Sequence, residues 1–157
     1  DYEGKTEGSI PVIAYEYLGD SVEGKNIILV DDMIVTGDSI LDVACELRSR
    51  KAGHIYIVST YGLFTEGLDR FAQAYEKGVI DLVFATNLIY RSPELLAAPW
   101  FVDVDMSKYV SLIVDALNHD ASLSRLMDPT EKIRLLLERE QNLGTYFSGS
   151  SGEGGST

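Results

Sequence analysis

One stretch constrains this chain more than any other. Four apolar residues, Ile27 to Val30, run straight into two adjacent acids, Asp31 and Asp32, and a helical pattern begins shortly after. A short continuous apolar run is what a strand buried on both faces requires. Beyond the loop, Ile40, Val43, Ala44 and Leu47 recur at helical spacing, with Asp38 or Ser39 in place to cap the helix and Gly53 in place to stop it. The same alternation continues downstream. "HIYIVSTYG" (54–62), "VIDLVFATN" (79–87) and "WFVDVD" (100–105) read as strands. Between and after them lie a helix capped by Thr65 with Leu68, Phe71, Ala72 and Tyr75 on its apolar face, a helix opened by Ser107, and a charged helix over 128–141. Upstream, "PVIAYEY" (11–17) alternates as a further strand. Strands alternating with helices predict an α/β fold, a mostly parallel sheet flanked by helices. In such sheets ligands bind at the carboxyl ends of the strands. The paired aspartates occupy such an end.

Composition narrows the partners. A formal net charge of −12 with no basic stripe to offset it excludes nucleic acid, whose binding depends on clustered cations. No apolar run approaches the roughly 20 residues of a membrane helix, so no membrane partner is expected. Cys45 is the sole cysteine, which fits a reducing cytoplasm, and its place among apolar helical positions suggests a small core residue. The domain expected to carry the function is 10–141. Residues 1–9 form a polar stretch that reads as part of a loop, and the Gly/Ser-rich segment 142–157 is expected to be a disordered tail.

The loop after the aspartates has a definite chemistry. Carboxylates at a strand end accept hydrogen bonds from vicinal hydroxyls such as those of a ribose, or help hold a divalent cation. Gly37 permits a tight turn, and Thr36 and Ser39 add hydroxyls where the helix begins. A helix start is an anion site, because its first N–H groups lack partners within the helix. Together these features suit a phosphorylated pentose. The Gly-Lys-Ser/Thr ending of a nucleotide-binding P-loop is absent.

"ILVDDMIVTGDSI" resembles the phosphoribosyl-diphosphate (PRPP) binding motif of type I phosphoribosyltransferase folds, and its "DDM" form is most similar to ribose-phosphate diphosphokinases, the PRPP synthetases. The likeness continues through "EYLGDSVEGK", "STYGLFTEGLDRF", "LVFATN" and "FVDVDMSKYVSLIVDALNHDASLSRL", covering about residues 10–127. The resemblance implies a phosphoribosyltransferase-like domain, the C-terminal half of an enzyme that converts ATP and ribose 5-phosphate to AMP and PRPP with Mg2+ in the cytoplasm, as a homo-oligomer. It puts Asp31 and Asp32 on the ribose hydroxyls, and Thr36, Gly37, Asp38 and Ser39 around the 5-phosphate. It assigns no catalytic or metal-binding residue to this chain. Those groups lie upstream in the family; by the same resemblance residues 1–9 are the truncated flank of its mobile loop, and Lys5 does not match the paired basic residues of that loop. Three positions depart from the pattern: Val35 stands where many members carry Asp, Asp38 where Gly or Lys is usual, and Tyr61 where His is common. These departures leave room for a non-catalytic, synthetase-like binding or regulatory protein. The motif by itself also fits a phosphoribosyltransferase that consumes PRPP.

Other residues have blander readings. Asp103 and Asp105 resemble a metal pair but read better as strand-end acids before a helix. His54 and His119 have no neighbouring ligand at metal spacing. Tyr90 and Arg91, followed by Pro93, read as a turn, with Trp100 an anchor beneath it.

Overall fold

The structure is a computed structural model that describes residues 19–148. The expected strand over 11–17, the flank 1–9 and the end of the tail, 149–157, lie outside the described residues. Two compact units divide between Met106 and Ser107, within the single domain expected over 10–141.

The first unit is a parallel sheet of four strands: β1 (Ile27–Ile34), β2 (Ile55–Gly62), β3 (Leu82–Thr86) and β4 (Phe101–Val104). Strand order follows chain order, β1-β2-β3-β4. The intervening helices are α1 (Asp38–Ser49), α2 (Asp69–Glu76) and α3 (Pro93–Ala97). When every crossover steps the same way and has the same hand, all the helices fall on one face. Burial agrees, because Ile55, Ile57, Val83 and Phe101 on one face are buried. On the opposite face of the edge strand β1, Ile28 and Val30 are 64% and 78% exposed. The α/β class and its parallel sheet are as the sequence indicates.

Four local details differ from the sequence reading. β1 does not stop at the aspartates but runs through them to Ile34. The buried side moves from Ile57 and Ser59 to Gly62 in β2 and from Leu29 and Asp31 to Ile34 in β1. Both strands shift in step, so their register (Asp31↔Ser59, Ile34↔Gly62) is kept while the alternation that marks a strand is lost. Thr65 does not cap α2. Leu68 holds that position, and the Thr65 N–H and hydroxyl both donate to the Val35 carbonyl, at 2.9 and 3.2 Å. Nor does Gly53 end α1. Lys51 takes the left-handed turn (φ 61°), with its N–H on the Arg48 carbonyl at 2.9 Å. Cys45 is exposed rather than in the core. The buried stripe is Ile40, Ala44 and Leu47, and Cys45 falls one position off it.

The short helix α3 is an element beyond the sequence reading. Its signal is nevertheless present: Ser92 caps it by accepting from the Leu95 N–H (3.1 Å), and Pro93 opens it. It leads to Trp100, which is buried among Phe64, Phe71 and Phe101 with ring centroids 5.5–6.2 Å away.

At the amino ends of the strands, Arg48 staples three segments. Its guanidinium donates to the carbonyls of Ala52, Gly53 and Val79 and pairs with Asp81 at 3.2 Å. Asp81 also accepts from the Ile55 N–H at 2.8 Å and lies 2.6 Å from His54 Nδ1. Burial by itself raises the Asp81 pKa, but the hydrogen bonds from His54 and Ile55 and the charges of His54 and Arg48 outweigh it and hold the carboxyl below its ordinary value. A carboxyl depressed in the folded state stabilises fully above its unfolded pKa, and that stabilisation is lost as pH falls through the folded pKa. Asp81→Asn is therefore expected to cost about 1–2 kcal/mol at neutral pH, in the range for a charged hydrogen-bonded pair with both partners partly solvated. Urea titrations at pH 7 and pH 3 check it: the gap between native and variant narrows at the lower pH, and a gap that stays constant rules the staple out as a source of acid sensitivity.

The second unit contains α4 (Ser107–Asn118), α5 (Ser124–Met127) and α6 (Thr130–Ser148). The Tyr109 hydroxyl donates to the Leu126 carbonyl at 2.6 Å and ties α4 to α5. α6 continues seven residues past Gln141, into the segment expected to be tail.

Candidate functional site

The carboxyl end of β1, the loop after it and the first two residues of α1 hold all six sequence-derived site residues. Asp31 and Asp32 lie within β1. Asp31 is half-buried, and its Oδ1 accepts from the Met33 N–H at 3.4 Å. Asp32 is exposed. Among the described residues, no three His, Cys, Asp or Glu side chains converge to hold a metal ion.

The turn itself is fixed by packing. Gly37 is the N-cap of α1, with φ 90° and no side-chain cap. A Cβ at this position would lie 2.4 Å from two ring atoms of Phe71, so only glycine fits both the backbone angle and the space. Neither Asp38 nor Ser39 is the cap, because both fall within the helix. The loop is held from below by α2's approach: the Ile34 carbonyl accepts from the Leu63 N–H (2.8 Å), and Val35 is held by Thr65 as described above. The Val35 side chain is exposed.

Asp38 is not an isolated carboxylate beside the turn. Its Oδ2 accepts from the Thr36 hydroxyl at 3.1 Å, and that same hydroxyl oxygen accepts from the Asp38 N–H at 3.3 Å. Its Oδ1 forms an ion pair with Arg70, from the first turn of α2, and Arg70 also stands 3.6 Å from Glu66. The Arg70–Asp38 link was not legible in the sequence, because the two residues are far apart in the chain and meet only where the fold brings the first turns of α1 and α2 together.

The other strand ends are tied internally. The Thr86 hydroxyl donates to the Thr60 carbonyl (2.6 Å), and the Asn87 side chain bridges Asp105 (2.6 Å) and the Met106 N–H (2.8 Å). Asp103 pairs with Arg91, and Tyr90 is exposed. These contacts give Asp103 and Asp105 structural partners. An open groove of about 600 Å³, lined in part by His54, Tyr56, Tyr75, Glu76 and Asp81, lies at the amino ends of β2 and β3, the wrong end of the sheet for the loop.

Comparison with known proteins agrees with this architecture. Residues 11–128 match the family described as phosphoribosyl synthetase-associated domain. A ribose-phosphate pyrophosphokinase of Mycoplasma pneumoniae is 30% identical over 106 residues, which is 67% of this chain and 32% of that protein. The human phosphoribosyl pyrophosphate synthase-associated protein 2 is 34% identical over 105 residues, 67% of this chain and 28% of that one. This chain thus spans about a third of the length of the curated relatives it matches. In fold it is similar to the crystal structure of phosphoribosylpyrophosphate synthetase from Mycobacterium smegmatis, with a TM-score of 0.57 and 24% identity over 66% of this chain and 33% of that one. No helix among the described residues is long and apolar enough to cross a membrane. With three quarters of its length matched by the family model, this chain belongs to the phosphoribosyl synthetase-associated domain family.

Proposed function

We propose that this chain is the C-terminal, ribose-5-phosphate-binding half of a PRPP synthetase, an enzyme that transfers the diphosphate of ATP to the anomeric hydroxyl of ribose 5-phosphate and releases AMP. The observation that carries the reading is the sequence of groups at the end of β1: two aspartates, a turn pinned at Gly37, and the start of α1. Asp31 and Asp32 would accept hydrogen bonds from the ribose hydroxyls. Thr36, Gly37 and Ser39 would surround the 5-phosphate at the start of α1, with Asp38 at its side. Transfer of this kind depends mostly on positioning and charge stabilisation, and this half supplies the positioning of the sugar. Mg2+ retains much of its water and binds through one or two carboxylates together with substrate phosphates. A cytoplasmic homo-oligomer is part of the same proposal.

A second reading is a synthetase-like partner protein without turnover. One observation favours it: the Thr36 hydroxyl is already engaged, donating to the Asp38 carboxylate and accepting from the Asp38 N–H. Relatives of both kinds, a pyrophosphokinase and a synthase-associated protein, match over similar lengths.

Calorimetric titration of ribose 5-phosphate, with and without magnesium, tests the site. The native chain is expected to bind, and an Asp31→Asn/Asp32→Asn variant to bind at least about tenfold more weakly, since hydrogen bonds to charged groups contribute about 1.5–3 kcal/mol. The Asn oxygen can still accept from the Met33 N–H, so folding is preserved. Equal binding by both chains would remove the aspartates from the site. In the intact parent, AMP formation from ATP and ribose 5-phosphate separates the synthetase from the non-catalytic partner.

A further inference from the structure

The Asp38–Arg70 pair stands at the loop assigned to the sugar phosphate, and this inference rests on that assignment. Asp38 is an anion at the start of α1, where its Oδ2 takes the Thr36 hydroxyl and its Oδ1 takes Arg70. A phosphate at the same turn would call on the same two donors. The side chains of Arg70 and Asp38 are 45% and 43% exposed, so their ion pair is solvated and only weakly held. A phosphate dianion carries more charge than a carboxylate and has more acceptor oxygens, which lets it displace Asp38 from both partners. Displacement leaves the carboxylate beside the incoming phosphate, and that repulsion opposes binding. Arg70 itself is flanked by a second carboxylate, Glu66, which further weakens its pull on an external anion.

We propose that Asp38 is a built-in competitor for the loop's anion position, and that Arg70 is the cation for which it and a sugar phosphate compete. The loop is then tuned to weak binding: Asp38 holds the turn in its closed hydrogen-bonded form and yields only to a ligand with a full phosphate charge. A neutral pentose gains nothing from the exchange.

Three variants of this chain test this with ribose 5-phosphate as the titrant. Asp38→Asn removes the competing charge and is expected to tighten binding about tenfold, the scale of one charge acting on a dianion at short range through solvated surroundings. Arg70→Gln removes the cation and is expected to weaken binding by a similar factor. Asp69→Asn makes the same change in net charge at an exposed first-turn position of α2 and is expected to leave affinity unchanged. Higher salt should narrow the differences, because the pair is solvated. Circular dichroism and thermal melts establish that each variant is folded. Binding by the native chain with no tightening in Asp38→Asn overturns the competition while the sugar-phosphate reading stands. Equal tightening in Asp69→Asn also overturns it, because net charge alone would then explain the gain. If no folded variant binds, the sugar-phosphate reading falls, and this inference falls with it.

Discussion

Trp100→Ala is expected to lower the unfolding free energy by about 4 kcal/mol, within the range of about 3–5 kcal/mol for truncating a large buried aromatic. Trp100 is 2% exposed. It stacks on Phe71 at 5.5 Å with an interplanar angle of 23°, and it meets Phe64 and Phe101 edge-on at 6.0 and 6.2 Å. Those three rings come from α2, from the loop after β2 and from β4, so removing the indole opens a cavity where three segments converge. The backbone bond from the Val83 N–H to the Trp100 carbonyl survives the substitution, which confines the loss to packing. Trp100→Phe keeps an aromatic ring in place and should recover about half of the loss, given the roughly 0.8 kcal/mol gained per buried methylene-sized group. Chemical denaturation of the two variants checks the order. A loss below about 1 kcal/mol for alanine would mean that the site collapses freely and the aromatic cluster is not the keystone of the first unit.

The order of elements was legible because the strands are short apolar runs and the helices carry their own periodicity. What failed to show in the sequence were features created by distant residues. β1 reads as ending at Asp31 because two acids interrupt its apolar run. The strand continues because its neighbour β2 changes its buried side in step with it. Thr65 has the chemistry of a helix cap, yet its hydrogen bonds go to Val35, a partner visible only once the two loops are side by side. Cys45 sits among apolar residues and is still exposed, since a helix buries a stripe rather than a run. α3, by contrast, has a local signature: a serine, a proline and a glutamate in succession carry the marks of a helix start. The candidate site shows the same division. Its residues lie within one local stretch, which is why the sequence could point to them. The charge that acts on them, Arg70, comes from the next helix along and has no local signature.

Gly37→Ala is expected to destabilise the protein by about 3 kcal/mol, the sum of two effects that a second glycine separates. A non-glycine residue held at positive φ costs about 1–2 kcal/mol. Gly67 has nearly the same backbone angle, φ 86° against 90°, but a Cβ there meets nothing within 4 Å. Gly67→Ala should therefore show the backbone cost alone. At Gly37 the new methyl group falls 2.4 Å from the Phe71 Cε2 and Cζ, and overpacking of that kind adds about 1–3 kcal/mol. Phe71 is fully buried and stacked on Trp100, so the ring has nowhere to retreat and the loop must move instead. Movement of the loop reaches Thr36, Asp38 and the start of α1, so the same substitution should also abolish the proposed ribose 5-phosphate binding under conditions where the variant remains folded. Gly67→Ala lies outside that loop and should leave binding intact. The comparison ties the site to the core: Gly37 is required by an aromatic ring beneath it, and the shape offered to a ligand is set by that ring. If Gly37→Ala costs no more than Gly67→Ala, the ring yields, and the turn owes its form to the backbone angle alone.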